Sequence, residues 1–238
     1  MRFALLILAC SLITACAANS PAGSKPIPEL GDRSSANQLA KGDLDRMADV
    51  ELEENTNSLR NLMLKLYKRN PNQLANSTSD NAEKMVEWVF EGEQQHHWQF
   101  KEIDNKQGTD AIFLAFYPEY QNDRVLPFIV GLQTMLAKAH ANKKEFYLTD
   151  NIDPQSIYNV ARNIEIAAWI LSTARDPEGN LYLLTNEIND KDRNLSFERE
   201  FGKMIGRTDL YAIALAEKSQ RLISRVMQSL ATAVFLPF

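Results

Sequence analysis

The stretch that decides the fold is Asp153-Pro154-Gln155-Ser156-Ile157-Tyr158-Asn159-Val160-Ala161-Arg162-Asn163-Ile164-Glu165-Ile166-Ala167-Ala168-Trp169-Ile170-Leu171. Aspartate is a good helix N-cap, and proline is favoured at the first helical position, where its missing N–H costs nothing. From Ile164 to Leu171 the run is apolar nearly all round, as in a helix buried at the centre of its domain. Asp176-Pro177-Glu178-Gly179 ends it at about Ala174.

Outward from this helix the pattern stays helical. Leu59, Leu62, Met63, Leu66 and Tyr67 recur at three- and four-residue steps from a segment that opens near Asp43, and Asn70-Pro71 stops them. A second helix is expected from Asn81 to Glu91, with Gly92 after it, and a third from Thr109 to about Tyr117. A fourth is expected from Arg124 to His140, with Pro127 tolerated in its first turn. Leu181 to Leu184 reads as a short strand or an extended loop. Phe197 to Ile205 reads as a short helix ended by Gly206. Thr208 then caps a last helix with the stripe Leu215, Leu222, Val226, Leu230 and Val234. No repeat near the solenoid period appears. The expectation is one all-α globular domain of about seven helices over residues 42–238.

The N-terminus reads differently. Arg2 precedes an apolar run from Phe3 to Ala15 that is too short for a bilayer span of about 20 residues. Charge, apolar core and small residues come in the order of an export signal. Ile13-Thr14-Ala15-Cys16 resembles the bacterial lipobox. That resemblance implies a signal over residues 1–15, diacylglycerol on the Cys16 thiol and acylation of its new amine. Ala17, where inner-membrane lipoproteins of double-membraned bacteria carry aspartate, implies the outer membrane, with the domain facing the periplasm. Residues 16–41, rich in proline, glycine and serine, read as a tether spanning roughly 25–30 Å as a coil.

Composition excludes several classes. The chain holds two cysteines, Cys10 in the signal and Cys16 at the anchor, so the domain is expected to lack disulfides. Net charge is −5, and there is no basic block, so nucleic acid lacks its electrostatic footprint. No glycine-rich phosphate loop or dinucleotide motif is present, and no cofactor is expected.

Leu66-Tyr67-Lys68-Arg69-Asn70-Pro71, Glu145-Phe146-Tyr147-Leu148, Tyr158-Asn159-Val160-Ala161-Arg162-Asn163-Ile164-Glu165 and Thr232-Ala233-Val234-Phe235-Leu236-Pro237 resemble a group of proteobacterial outer-membrane lipoproteins. The resemblance covers most of the chain after Cys16. It implies an address and no reaction.

Candidate chemistry is sparse. Glu93-Gln94-Gln95-His96 has a spacing used by metal ligands, but a di-iron bundle needs two such pairs, so it reads as a solvated polar loop and no metal is expected. Tyr158, Arg162, Glu165 and Trp169 share one sector at about 100° per residue. Arg162 and Glu165 can pair at i,i+3, either as a structural ion pair or as the polar floor of a ligand pocket walled by Tyr158 and Trp169. Gly131-Leu132-Gln133 and Asp153-Pro154-Gln155-Ser156-Ile157 resemble parts of lytic transglycosylases, which implies Glu119 as a lone general acid. Tyr120 departs from that family's serine, and its Gly-Leu-Met-Gln run is unmatched. No Ser-His-Asp set, zincin motif or cysteine pair occurs. The tail Phe235-Leu236-Pro237-Phe238 could cover the domain's own core or face a partner. The expectation is a non-enzymatic binding or scaffolding domain with an envelope protein partner. The alternatives are a peptidoglycan-cleaving enzyme and a small-ligand carrier.

Overall fold

Asp43 to Arg69 forms the 27-residue helix α1. Asp43 and Asp45 lie in its first turn and Lys68 and Arg69 in its last, each matching the local end of the helix dipole. The Gly42 N–H donates to the Asp45 carboxylate at 2.8 Å. Asn70 caps the C-terminal end, and Pro71 at once opens a short helix, α2 (Pro71–Ser77). The sequence reading lacked α2 because none of its residues is buried, so it has no apolar periodicity to detect.

The structure is a computed structural model, and it describes residues 41–147, 150–188, 193–220, 223 and 234–238. The signal, Cys16, almost all of the tether, and Leu222, Val226 and Leu230 of the expected last stripe lie outside the described residues.

Next come α3 (Ala82–Glu91), whose N-cap Asn81 accepts from the Lys84 N–H, and a helical turn, α4 (Glu93–His96). Gly92 between them admits no side chain, since a Cβ there would lie 2.4 Å from the Trp88 carbonyl oxygen. A 3₁₀ turn at Lys101–Ile103 leads to α5 (Gly108–Ala115) and α6 (Val125–Ala139). These two pack closely, and a Cβ on Gly131 would lie 2.6 Å from both the Gly108 oxygen and Ile112 Cγ1. Helix α6 is the most buried element, with Val125 to Leu136 enclosed without interruption.

The quoted stretch is α7 (Pro154–Thr173), capped by Asp153, whose carboxylate accepts from the Gln155 and Ser156 N–H groups. No residue of α7 before Thr173 is exposed, as its apolar circumference requires. Leu181 to Leu184 is an extended loop whose one bridge pairs Leu181 with Arg175. A two-residue antiparallel ribbon follows, β1 (Glu187–Ile188) with β2 (Arg193–Asn194), in the register Glu187 opposite Asn194 and Ile188 opposite Arg193.

The end of the chain departs from expectation. Ser196 to Ser219 is one helix, α8, which passes through Gly206 and Thr208 without a break. Each interior glycine costs about 1 kcal/mol of helix propensity relative to alanine. Burial of Phe197, Phe201, Met204, Tyr211 and Ala212 outweighs that cost. The Thr208 hydroxyl does not cap; it is spent on α1. The main helix pairs are α7 with α8, α5 with α6, α1 with α8 and α1 with α6. The fold is all-α, with eight α-helices among the described residues.

Val234 to Phe238 docks on the core. Asn163 grips the Leu236 backbone from both sides, accepting its N–H at 2.7 Å and donating to its carbonyl at 2.8 Å. Asn159 donates to the Pro237 carbonyl at 2.7 Å. The Phe235 ring meets Phe113 edge-on, and the Lys138 ammonium sits 4.7 Å above the Phe238 ring. Among the described residues no helix is long and apolar enough to cross a membrane.

Candidate functional site

The polar set expected on α7 faces α8. Arg162 is 18 % accessible and holds two carboxylates, Glu165 at 3.0 Å and Asp209 at 2.6 Å. Its guanidinium lies 5.1 Å from the Tyr158 ring centre. Burial raises the Glu165 pKa, the Arg162 charge opposes that rise, and Asp209 adds to it. Arg162 Nε and Asp209 Oδ1 are buried without a hydrogen-bond partner. Trp169 is half-buried, and its carbonyl accepts from the Ser172 and Thr173 hydroxyls. The sequence reading missed Asp209 because 47 residues separate it from Arg162. Both carboxylates meet Arg162 through the same nitrogen, Nη2, and with two of them on one guanidinium the cluster carries a net negative charge.

Glu119 is exposed in the connection between α5 and α6. Four residues on, Asp123 is buried and organises that connection. Asp123 Oδ1 accepts from the N–H of Val125, the first residue of α6, at 2.8 Å and so satisfies one of its free donors. Its Oδ2 accepts from the Tyr67 and Ser77 hydroxyls, both at 2.6 Å. Burial raises the Asp123 pKa, and these donors pull against the rise. Burial likewise pushes the Tyr120 hydroxyl up to about 12. Arg124 donates to the carbonyls of Ala115, Tyr117 and Tyr120 and stacks 4.2 Å from the Tyr182 ring centre. A cleft of about 180 Å³ opens here, lined by Asn76, Ser77, Glu102, Tyr120, Asn122 and Asp123. Two carboxyls line this cleft, the exposed Glu102 and the buried Asp123, and every donor around Asp123 favours its ionised form.

Glu93 and His96 turn to different partners. Glu93 pairs with Lys144 at 2.7 Å. His96 Nε2 donates to the Val89 carbonyl, and Nδ1 accepts from the Trp98 N–H, both at 2.9 Å. In place of the expected solvated loop, the segment is a helical turn with its imidazole among Trp88, Trp98 and Phe100. Among the described residues no group of three or more His, Cys, Asp or Glu side chains is placed to hold a metal ion.

A third cluster escaped the sequence reading. His140 is fully buried, with Nδ1 2.9 Å from the Leu136 carbonyl and Nε2 2.9 Å from Glu51 Oε2. That second contact is close but misaligned, and neither atom completes a hydrogen bond. Glu51 Oε1 accepts from Asn55 Nδ2 and from the Thr208 hydroxyl, each at 2.6 Å, and Thr208 accepts from Asn55 in turn. The Tyr211 ring stacks on the imidazole at an interplanar angle of 7°. Glu51 and Asn55 come from α1, His140 from the end of α6, and Thr208 and Tyr211 from α8. The cluster locks three helices and has no opening for a substrate.

Compared with protein-family models, curated proteins and solved structures, the chain finds no match.

Proposed function

We propose that the chain is a bacterial lipoprotein, anchored through acylated Cys16 in the outer membrane, whose periplasmic helical domain binds an envelope protein in a scaffolding role. Ile13-Thr14-Ala15-Cys16 and the tether after it support the anchor. The observation that carries the binding role is an apolar patch at the tail. Phe113 is 51 % exposed and leans on the Phe235 ring, and Val234, next to Phe235 in the chain, is 61 % exposed. Exposed aromatic and aliphatic side chains gathered in this way mark interaction surfaces.

The alternatives have less support. A wall-cleaving enzyme would use Glu119, which is exposed while other residues line the nearby cleft. A small-ligand carrier at Tyr158, Arg162, Glu165 and Trp169 would bring its ligand to a guanidinium already paired with two carboxylates.

The test is cross-linking in intact cells, followed by purification through a C-terminal tag and mass spectrometry. A reproducible envelope partner is expected for the wild type. It should be lost with Phe113→Asp and with Cys16→Ala. Partner capture unchanged in both variants would refute the reading. Muropeptide release that fails on Glu119→Gln would transfer support to the enzyme.

A further inference from the structure

Helix α8 has a second face that no other described element covers. Leu210 is 59 % exposed and Ile213 48 %, although both are large and apolar. On the same face lie Arg199, Gly202, Gly206 and Glu217, all exposed. At about 100° per residue these six residues fall within about 80° of the helix circumference. The two glycines are unusual on an exposed helix. A Cβ built on either meets nothing within 4 Å, so no close packing among the described residues requires them. Each costs about 1 kcal/mol of helix propensity relative to alanine. The face therefore presents a shallow recess next to two projecting apolar side chains.

Its charges decide what fits it. A two-fold axis perpendicular to α8 at the level of Thr208 would pair two copies antiparallel. Gly206 then receives the partner's Leu210. Arg199, nine residues before the axis, meets the partner's Glu217, nine residues after it. The aliphatic stem of Lys203 covers the partner's Ile213. Each pairing occurs twice by symmetry, so the face is complementary to itself in shape and in sign, as a closed two-fold interface requires. We propose that this face of α8 is a homodimerisation surface whose occupant is a second copy of this chain. The surface lies apart from the tail patch and does not depend on the anchor or on an envelope partner.

One helix face is small beside standard interfaces, so a weak, reversible dimer with Kd on the order of 10 μM is expected. Sedimentation equilibrium of the full chain in excess density-matched detergent measures it. Leu210→Asp should leave only monomer, with the helical circular dichroism unchanged. Arg199→Glu and Glu217→Arg alone should each weaken the dimer at least about tenfold, and the double reversal should restore it. Gly206→Ala should raise the thermal midpoint of the monomer while weakening the dimer, opposite signs that a purely internal role would not produce. A monomer throughout the accessible concentrations would overturn the proposal. So would a dimer indifferent to Leu210→Asp, or a double reversal that fails to restore what the single changes removed.

Discussion

Two polar clusters hold helices against α8, and they differ in how far water reaches them. The Arg162 clasp joins α7 to α8 at the edge of their interface, with Glu165 and Asp209 each partly open to solvent. The Glu51–His140 junction joins α1, α6 and α8 with both side chains almost fully enclosed. Solvent screens the clasp, so its charges gain little by meeting. At the junction, loss of one partner strands the other where water cannot replace it. The cluster that local spacing made visible is therefore expected to matter less than the one that spacing concealed.

The largest expected effect tests that ranking directly. His140→Ala empties a fully buried site against Tyr211, removes the group beside Glu51 Oε2 and should cost about 3–5 kcal/mol in urea unfolding. A cost below about 1 kcal/mol would put the junction on a par with the clasp and break the comparison. Thr208→Val keeps the side-chain volume but removes the hydroxyl between Glu51 and Asn55. It should cost about 1–3 kcal/mol by the same measurement. At the clasp, Arg162→Met should cost no more than about 1 kcal/mol. A double-mutant cycle with Asp209→Asn checks whether the coupling stays within that bound.

The smallest effect is one of pH. Burial raises the Glu165 pKa, so the folded state holds this proton more tightly than the unfolded chain does. The stability that this contributes is complete below the ordinary carboxylate range and is lost as pH rises through the raised value. Wild type should therefore gain slightly on Glu165→Gln as unfolding is repeated at falling pH. A gap that narrows on acidification would show that the Arg162 charge outweighs burial.

How legible the fold was depended on whether its signals were local. Asp153 and Pro154 carry the start of α7 in adjacent residues, and its end follows from the turn at Asp176. Asn81 and Gly92 bracket α3 in the same way. Where local and tertiary signals conflict, the tertiary ones win. Gly206 and Thr208 resemble a stop and a cap, but α8 runs through both because its buried face is continuous there. The candidate site was half legible. Spacing brought Arg162 to Glu165, whereas Asp209 reaches Arg162 only through the packing of α7 on α8. Asp123 gave no sign of burial in sequence, since the hydroxyls that enclose it come from Tyr67 and Ser77, 56 and 46 residues away.

The pairing of α1 with α8 also sets a schedule. Glu51 meets Thr208 across 157 residues, and Arg207 reaches back 149 residues to Ser58. Contacts this distant in sequence come late, because the intervening chain must first be ordered or looped out. During synthesis, α1 packs on α6 first and keeps the face that α8 covers open until α8 emerges. The interval before closure is when the chain is most exposed to aggregation and most in need of a holding chaperone.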